Sequence, residues 1–181
     1  VCGGIAAYKT ATLVSRLVQS GADVHVAMTQ NAQRFIGALT FRALTGRQVF
    51  TDAWSAEGNT DIHHLSLSEK SDLIVVAPAT ANILAKLATG IADDLVSALL
   101  LGAACPILAA PAMNNRMWHH PATQRNLAFL RDVVGVRIAG PDEGWLACRA
   151  TGPGRMVEPD ALFAEVASYL QTIASTASNG G

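Results

Sequence analysis

Leu73-Ile74-Val75-Val76-Ala77, followed at once by Pro78-Ala79-Thr80-Ala81-Asn82, is an unbroken β-branched apolar run that ends in small and polar residues. A strand with one face in water alternates polar and apolar residues. This one does not, so it reads as a strand of a parallel sheet covered on both faces. Helical spacing resumes from Ile83 to Ala88. The small residues, hydroxyl and amide at the strand's carboxyl end leave room for a planar ring and supply hydrogen bonds to it, although the same atoms would serve a capped helix start equally well.

Downstream, Asp93-Asp94 caps a helix through Leu101 and reads as helix-terminal charge rather than an acid/base pair. Pro106 to Ala110 is a second buried strand, and the polar stretch Pro111 to Leu127 follows it into a helix from about Ala122. Ligands of open α/β sheets bind beyond the carboxyl ends of strands, which is where Asn114, Met117 and Trp118 fall. The plain alternative is a polar loop closed by Pro121. A strand near Val136-Arg137-Ile138 comes next, and then Trp145 to Met156, too rich in Gly and Pro for regular structure and expected to be a mobile flap. The helix Pro159 to Leu170 carries Phe163, Val166, Ala167 and Leu170 on one core-facing side.

Upstream, Val1 to Ala7 looks like the end of a strand, a glycine turn and a helix start, with the helix running to Gly21. A glycine pair before a helix N-terminus lets backbone approach an anion, but a plain tight turn explains Gly3-Gly4 equally well. Val24 to Met28 reads as a second strand, ended by Thr29-Gln30-Asn31, which would cap a helix near Ala32 or hold phosphate. His25 reads as a packed or edge histidine. Two short helical patterns lie between Ile36 and Phe50, and a polar connection spans Thr51 to Asp61. His63 and His64 are adjacent on an extended chain, face opposite ways and have no partner pattern for a metal, so no metal site is expected. Strands alternating with helices throughout predict a single-domain α/β fold, a doubly wound, Rossmann-like or flavodoxin-like parallel sheet with helices on both faces.

The chain has 181 residues, enough for one domain, and half of them are hydrophobic. No run approaches the ~18 apolar residues of a membrane span, so surplus apolar surface points to burial between subunits. With 13 Lys+Arg against 14 Asp+Glu and no basic block, nucleic acid is discounted as a partner. Cys2, Cys105 and Cys148 lack disulfide or zinc spacing, which fits a reducing cytoplasm. The expected organisation is a domain over residues 1–170, its first strand cut short at Val1, and a disordered tail over 171–181.

Pro111-Ala112-Met113-Asn114 with Met117-Trp118 resembles the PxMNxxMW signature of the homo-oligomeric flavin-containing cysteine decarboxylases. Further segments match that family: Gly3 to Lys9 (GGIAAYK), His64-Leu65-Ser66-Leu67 before Ser71-Asp72, Pro78 to Asn82 (PATAN), and Leu146-Ala147-Cys148 before Gly152-Pro153-Gly154-Arg155-Met156. The resemblance is strongest to the branch that acts on 4′-phosphopantothenoylcysteine in coenzyme A synthesis. It implies FMN as cofactor, with Gly3, Gly4 and Ile5 against its phosphate and Thr29, Asn31, Thr80, Ala81, Asn82 and Ala112 also in contact. It implies His64 as catalytic base, Asn114 as the holder of the substrate carboxylate, Cys148 as proton donor on the flap, and Met117 and Ala147 beside the substrate. It further implies a homotrimer, or a multiple of trimers, with the site between subunits. By bare sequence a lone Cys148 is an ordinary thiol and the histidines are surface or structural groups. Two departures stand out. Arg149-Ala150 replaces the usual Gly-Asp of the flap, and Ser68-Glu69 stands where a basic residue is common.

The chemistry so implied is orderly. Loss of carbon dioxide from a cysteine leaves a carbanion with nothing adjacent to hold its charge; oxidising the thiol to a thioaldehyde first creates that sink, and a flavin can take the hydride. Peptidyl-cysteine decarboxylation, flavin prenyl transfer and a non-catalytic flavin-binding regulatory role are the competing readings.

Overall fold

The computed structural model describes residues 1–52, 69–147 and 149–178. His64 and Cys148, and the polar connection after Asp52, lie outside them.

The apolar run becomes β1 (Ile74–Ala79), paired in parallel with β2 (Ile107–Pro111), which pairs in parallel with β3 (Arg137–Ile138). Ile74 sits opposite Ile107, Val75 opposite Leu108 and Val76 opposite Ala109. Successive side chains on a strand point to opposite faces, and here both faces are covered. Ile107 and Ala109 join a core with Ile83, Leu84, Val96, Leu100 and Leu130, whereas Leu108 and Ala110 join another with Leu13, Leu162 and Val166. That two-sided burial is why the strands show no alternation, and it bears out the doubly wound α/β reading.

On the first face lie α3 (Ala81–Thr89), α4 (Leu95–Leu101) and α6 (Pro121–Phe129); on the second lie α1 (Ala7–Gln19) and α7 (Pro159–Ser178). A third cluster, with Val14, Val26, Met28 and Phe41, packs α2 (Ala38–Thr45) against α1. The short α5 (Asn115–Trp118) sits between β2 and α6. Thr80 caps α3 through the Ile83 amide at 3.3 Å, and Asp94 and Ser97 form a reciprocal capping box on α4, as expected of the aspartate pair.

Four expectations need correction. Val24 to Met28 is not a full strand: it makes one parallel bridge, Ala27 to Phe50, and exchanges hydrogen bonds with Val1 on its other side. Pairing of one residue on each side is too little for a ladder. Much of the expected flap lies in regular structure: β4 (Asp142–Trp145) and β5 (Thr151–Arg155) form an antiparallel hairpin, with a register shift between Asp142 and Glu143. Glycine and proline are tolerated in such a ribbon at bulges and close approaches. Pro121 opens α6 rather than closing a loop, since proline suits the first helical position, and the helix ends in a π turn over Leu130–Val134. Finally, α7 does not stop at Leu170 but continues to Ser178, because no glycine or proline interrupts the sequence before Gly180. Among the described residues no helix is long and apolar enough to cross a membrane.

Candidate active site

A cleft of about 970 Å³ opens at the carboxyl ends of β1 and β2, a size typical of small-molecule sites. Every candidate residue that falls within the described chain lines it: Gly3, Gly4 and Ile5 before α1, Thr29 and Asn31, then Thr80, Ala81 and Asn82, and finally Ala112, Asn114, Met117 and Ala147.

The glycine turn has a steric reason. A β-carbon on Gly3 would come 2.5 Å from Asn31 Cβ, so the two loops can meet only with glycine there. A β-carbon on Gly4 would touch nothing nearer than Thr80 Cγ2 at 3.9 Å, which leaves that backbone open. Ala6, at the N-cap of α1, offers no side chain to the first amides. The Ala7 and Lys9 amides instead donate at 3.0 Å to the Gly4 and Ala6 carbonyls, and the positive end of the helix dipole still favours an anion. Thr29 acts as a cap, its Oγ1 accepting from the Ala32 amide at 3.2 Å, but only a short 3-10 turn (Ala32–Arg34) follows. Asn31 makes no capping bond and is exposed.

The floor is locked by hydrogen bonds between elements. Thr10 Oγ1 donates to the Ala77 carbonyl at 2.8 Å, tying α1 to β1, and the Ala112 amide donates to the Ala79 carbonyl at 3.0 Å, tying the ends of β1 and β2. Asn114 Oδ1 accepts from the Arg116 amide at 2.8 Å as the cap of α5. That bond fixes the amide and leaves its NH₂ as the remaining donor.

The hairpin closes one side. The Met113 amide donates to the Gly154 carbonyl at 2.9 Å. A β-carbon on Gly154, at φ +131, would lie 2.3 Å from the Met113 oxygen, and one on Gly152 would lie 2.8 Å from Asn115 Nδ2. Glycines therefore let the hairpin dock flush on the Asn114 segment. Among the described residues, Asn115 Oδ1 is buried without a hydrogen-bond partner.

Several lining residues escaped the sequence reading. Lys9 is buried, its Nζ donating to the Met156 carbonyl at 2.9 Å and to Glu158 Oε1 at 3.0 Å. Its signal was its helical phase: Lys9 lies four residues before Leu13, on the apolar face of α1. Lys86 donates to Asp93 and, at 2.6 Å, to Asp94; these bonds raise its ammonium above the ordinary lysine range. Burial pushes the Asp94 carboxyl up, but the Lys86 hydrogen bond and the Ser97 amide outweigh it and hold it below the ordinary range. Cys2 lies at the cleft floor, where burial pushes its thiol up and makes it a poor nucleophile. Trp145, 65% exposed, and Arg155 complete the rim. Among the described residues no cluster of three or more His, Cys, Asp or Glu could hold a metal.

The family described as Flavoprotein matches residues 1–171. The coenzyme A biosynthesis bifunctional protein CoaBC of Bacillus subtilis (strain 168) is 48% identical over 160 residues, covering 88% of this chain and 39% of that protein. The protein of the same name from Escherichia coli (strain K12) is 45% identical over 159 residues, with the same coverage of both. The chain thus spans about two fifths of the length of these relatives. Among solved structures, a cysteine-to-serine mutant of a PPC decarboxylase complexed with pantothenoylaminoethenethiol superimposes with a TM-score of 0.84 at 29% identity, over 94% of each chain. The FMN-dependent cysteine decarboxylase SpaF gives 0.81 at 33% identity, over 96% of this chain and 93% of that one.

Proposed function

This chain belongs to the flavoprotein family, and we propose that it is an FMN-dependent decarboxylase that converts 4′-phosphopantothenoylcysteine to 4′-phosphopantetheine in coenzyme A synthesis. The observation that carries this reading is the convergence of the Gly3-Gly4 turn, the Thr80 to Asn82 segment and Asn114 on one cleft of about 970 Å³. The relatives named for coenzyme A biosynthesis and the PPC decarboxylase structure support the substrate.

The cleft suits FMN. The positive dipole end of α1 and the open backbone at Gly4 suit a phosphate, and the small residues Ala81 and Ala112 leave space for the flat ring beside the Thr80 and Asn82 side chains. Bound there, FMN supplies a two-electron acceptor and donor for the carbon that bears the substrate's thiol.

The protein's own groups do the rest. Asn114, with its oxygen engaged by the Arg116 amide, presents NH₂ donors that hold and orient the substrate carboxylate. His64, by resemblance, moves the proton of the thiol step, since an imidazole with an unperturbed pKa of about 6.5 both accepts and returns protons near neutrality. Cys148, by resemblance, protonates the ene-thiol left after carbon dioxide departs. Met117 and Ala147 bound the substrate arm. The exposed Ile5, Tyr8, Met117 and Trp145 around the cleft support burial of this rim against another subunit; the trimer with the site between subunits, and the reducing cytoplasm, are proposed by resemblance to the family.

The test is direct. The expected outcome is a yellow purified protein that releases carbon dioxide from 4′-phosphopantothenoylcysteine and loses that activity on Asn114→Ala. A folded, colourless protein that ignores added FMN refutes the reading, and flavin without turnover refutes the decarboxylase assignment. Light scattering checks the trimer.

A further inference from the structure

The two ends of the cleft differ in charge. Where α3 meets α4, Lys86 faces both Asp93 and Asp94, so the carboxylates are in excess. In the ion-pair cluster at the hairpin end the balance reverses. Lys9 lies 3.0 Å from Glu158 Oε1 and the Arg155 guanidinium pairs with that same oxygen, so two cations share one carboxylate. The Lys9 hydrogen bond, helped by the charges of Lys9 and Arg155, holds the Glu158 carboxyl below its ordinary range.

The two cations are not equivalent. Lys9 is buried and commits donors to Met156 and Glu158. The Arg155 side chain is 42% exposed, lines the cleft, and meets Glu158 through its Nη2. Its guanidinium lies along Gly144, where a β-carbon would come 3.1 Å from Nη1, so the missing side chain gives the planar group its room. Guanidinium carries five donors in a rigid fork that matches a phosphate, and one carboxylate oxygen does not saturate it.

We propose that Arg155 is the cleft's receptor for a phosphate monoester, carried either by the cofactor or by the tail of the substrate. The proposal rests on the reading of the cleft as an FMN and acyl-cysteine site. The site draws on β5, α1 and Glu158 just before α7, and within that ion-pair cluster two cations meet one carboxylate, a local surplus that attracts a dianion.

The test uses the full chain as wild type, Arg155→Gln and Arg155→Lys, each checked for native circular dichroism. In one arm, flavin-free protein is titrated with FMN and with riboflavin and followed by flavin fluorescence. In the other, the flavin-loaded protein is titrated calorimetrically with 4′-phosphopantothenate and with pantothenate, neither of which can be decarboxylated as a cysteine. Arg155→Gln weakens one phosphorylated ligand about tenfold and leaves its unphosphorylated twin unchanged, while Arg155→Lys, which keeps the charge but not the fork, recovers only part of the loss. A loss confined to FMN assigns the cofactor's phosphate; a loss confined to 4′-phosphopantothenate assigns the substrate's. Equal weakening of a phosphorylated ligand and its twin, or no weakening of any ligand, overturns the proposal. Absence of carbon dioxide release by the wild type would defeat the decarboxylase reading alone, because the FMN and riboflavin pair still decides the role of Arg155.

Discussion

Gly154→Ala should undock the β4–β5 hairpin without unfolding the domain. The added methyl would start 2.3 Å from the Met113 carbonyl oxygen, and a real β-carbon contact needs at least 3.0 Å, so β5 must retreat by roughly 0.7 Å. Backbone stands on both sides of the contact, and no flexible side chain can yield instead. Retreat stretches the 2.9 Å bond from the Met113 amide to the Gly154 carbonyl. The φ of +131 adds a second penalty, since an L side chain resists that conformation. Strain of about 1–3 kcal/mol and a lost hydrogen bond of about 1 kcal/mol give a local cost of roughly 2–4 kcal/mol. At tenfold per 1.4 kcal/mol, hairpin opening becomes roughly thirty to a thousand times more populated. The assay is native-state hydrogen exchange. Protection of the Met113 amide falls by that factor in the variant, while amides of β2 such as Leu108 keep theirs. Unchanged protection at Met113, or an equal fall at Leu108, would refute the docking argument.

Other outcomes follow from the same structure. Arg149 adopts φ +62 in the turn that joins β4 to β5, so Arg149→Gly relieves the left-handed strain and raises the unfolding free energy by about 1 kcal/mol; an unmoved urea midpoint counts against that conformation. Leu108 is fully buried in the second core, in one cluster with Leu13 and Leu162, and Leu108→Ala costs about 2–5 kcal/mol by the same measurement, with a loss under about 1 kcal/mol refuting tight packing there. The Lys86 pairs give a pH signature. Lys86 has a raised folded value, so its contribution is complete below the ordinary lysine pKa of about 10.4 and is lost as pH rises through the folded value. Asp94 has a lowered folded value, so its contribution is present above about pH 3.9 and is lost as pH falls through the folded value. Lys86→Met should therefore flatten both flanks of the stability profile, and a profile parallel to that of the wild type would contradict the pairing.

The sheet was legible because burial on two faces leaves its mark residue by residue: Val75-Val76-Ala77 and Ile107-Leu108-Ala109 have no polar position to spare. Helix ends were legible where one residue type has one job, as with Asp94 capping α4 or Gly21 at φ +88 just past the end of α1. The hairpin was not, because composition alone misleads there. Gly152 and Gly154 suggested irregular chain, when their role is to let β5 lie against Asn115 and Met113. Nothing local to Thr151–Arg155 announces a partner forty residues upstream. Val24 to Met28 misled in the opposite direction, since its apolar residues are buried as expected but the ladder that would define a strand is one residue wide.

For the cleft, sequence signalled residues that line it with backbone or small side chains and missed the charges that frame it. A lysine inside an amphipathic helix ordinarily reads as solvent-facing, and only the later fold explains Lys9: Met156 and Glu158 come back across α1 and supply a carbonyl and a carboxylate that make its burial tolerable. The same return of the chain brings Arg155 to the rim. The hairpin therefore does more than cover the Asn114 segment. By carrying Gly144, Gly154 and Arg155 together on two paired strands, it couples closure of the cleft to delivery of its accessible positive charge, so a change that loosens the docking of Gly154 on Met113 should weaken phosphate recognition even with Arg155 intact. In Gly154→Ala, preference for FMN over riboflavin, or for 4′-phosphopantothenate over pantothenate, should fall in step with Met113 protection; full retention of both preferences in an undocked hairpin would separate the two roles and leave Arg155 acting from outside the cleft.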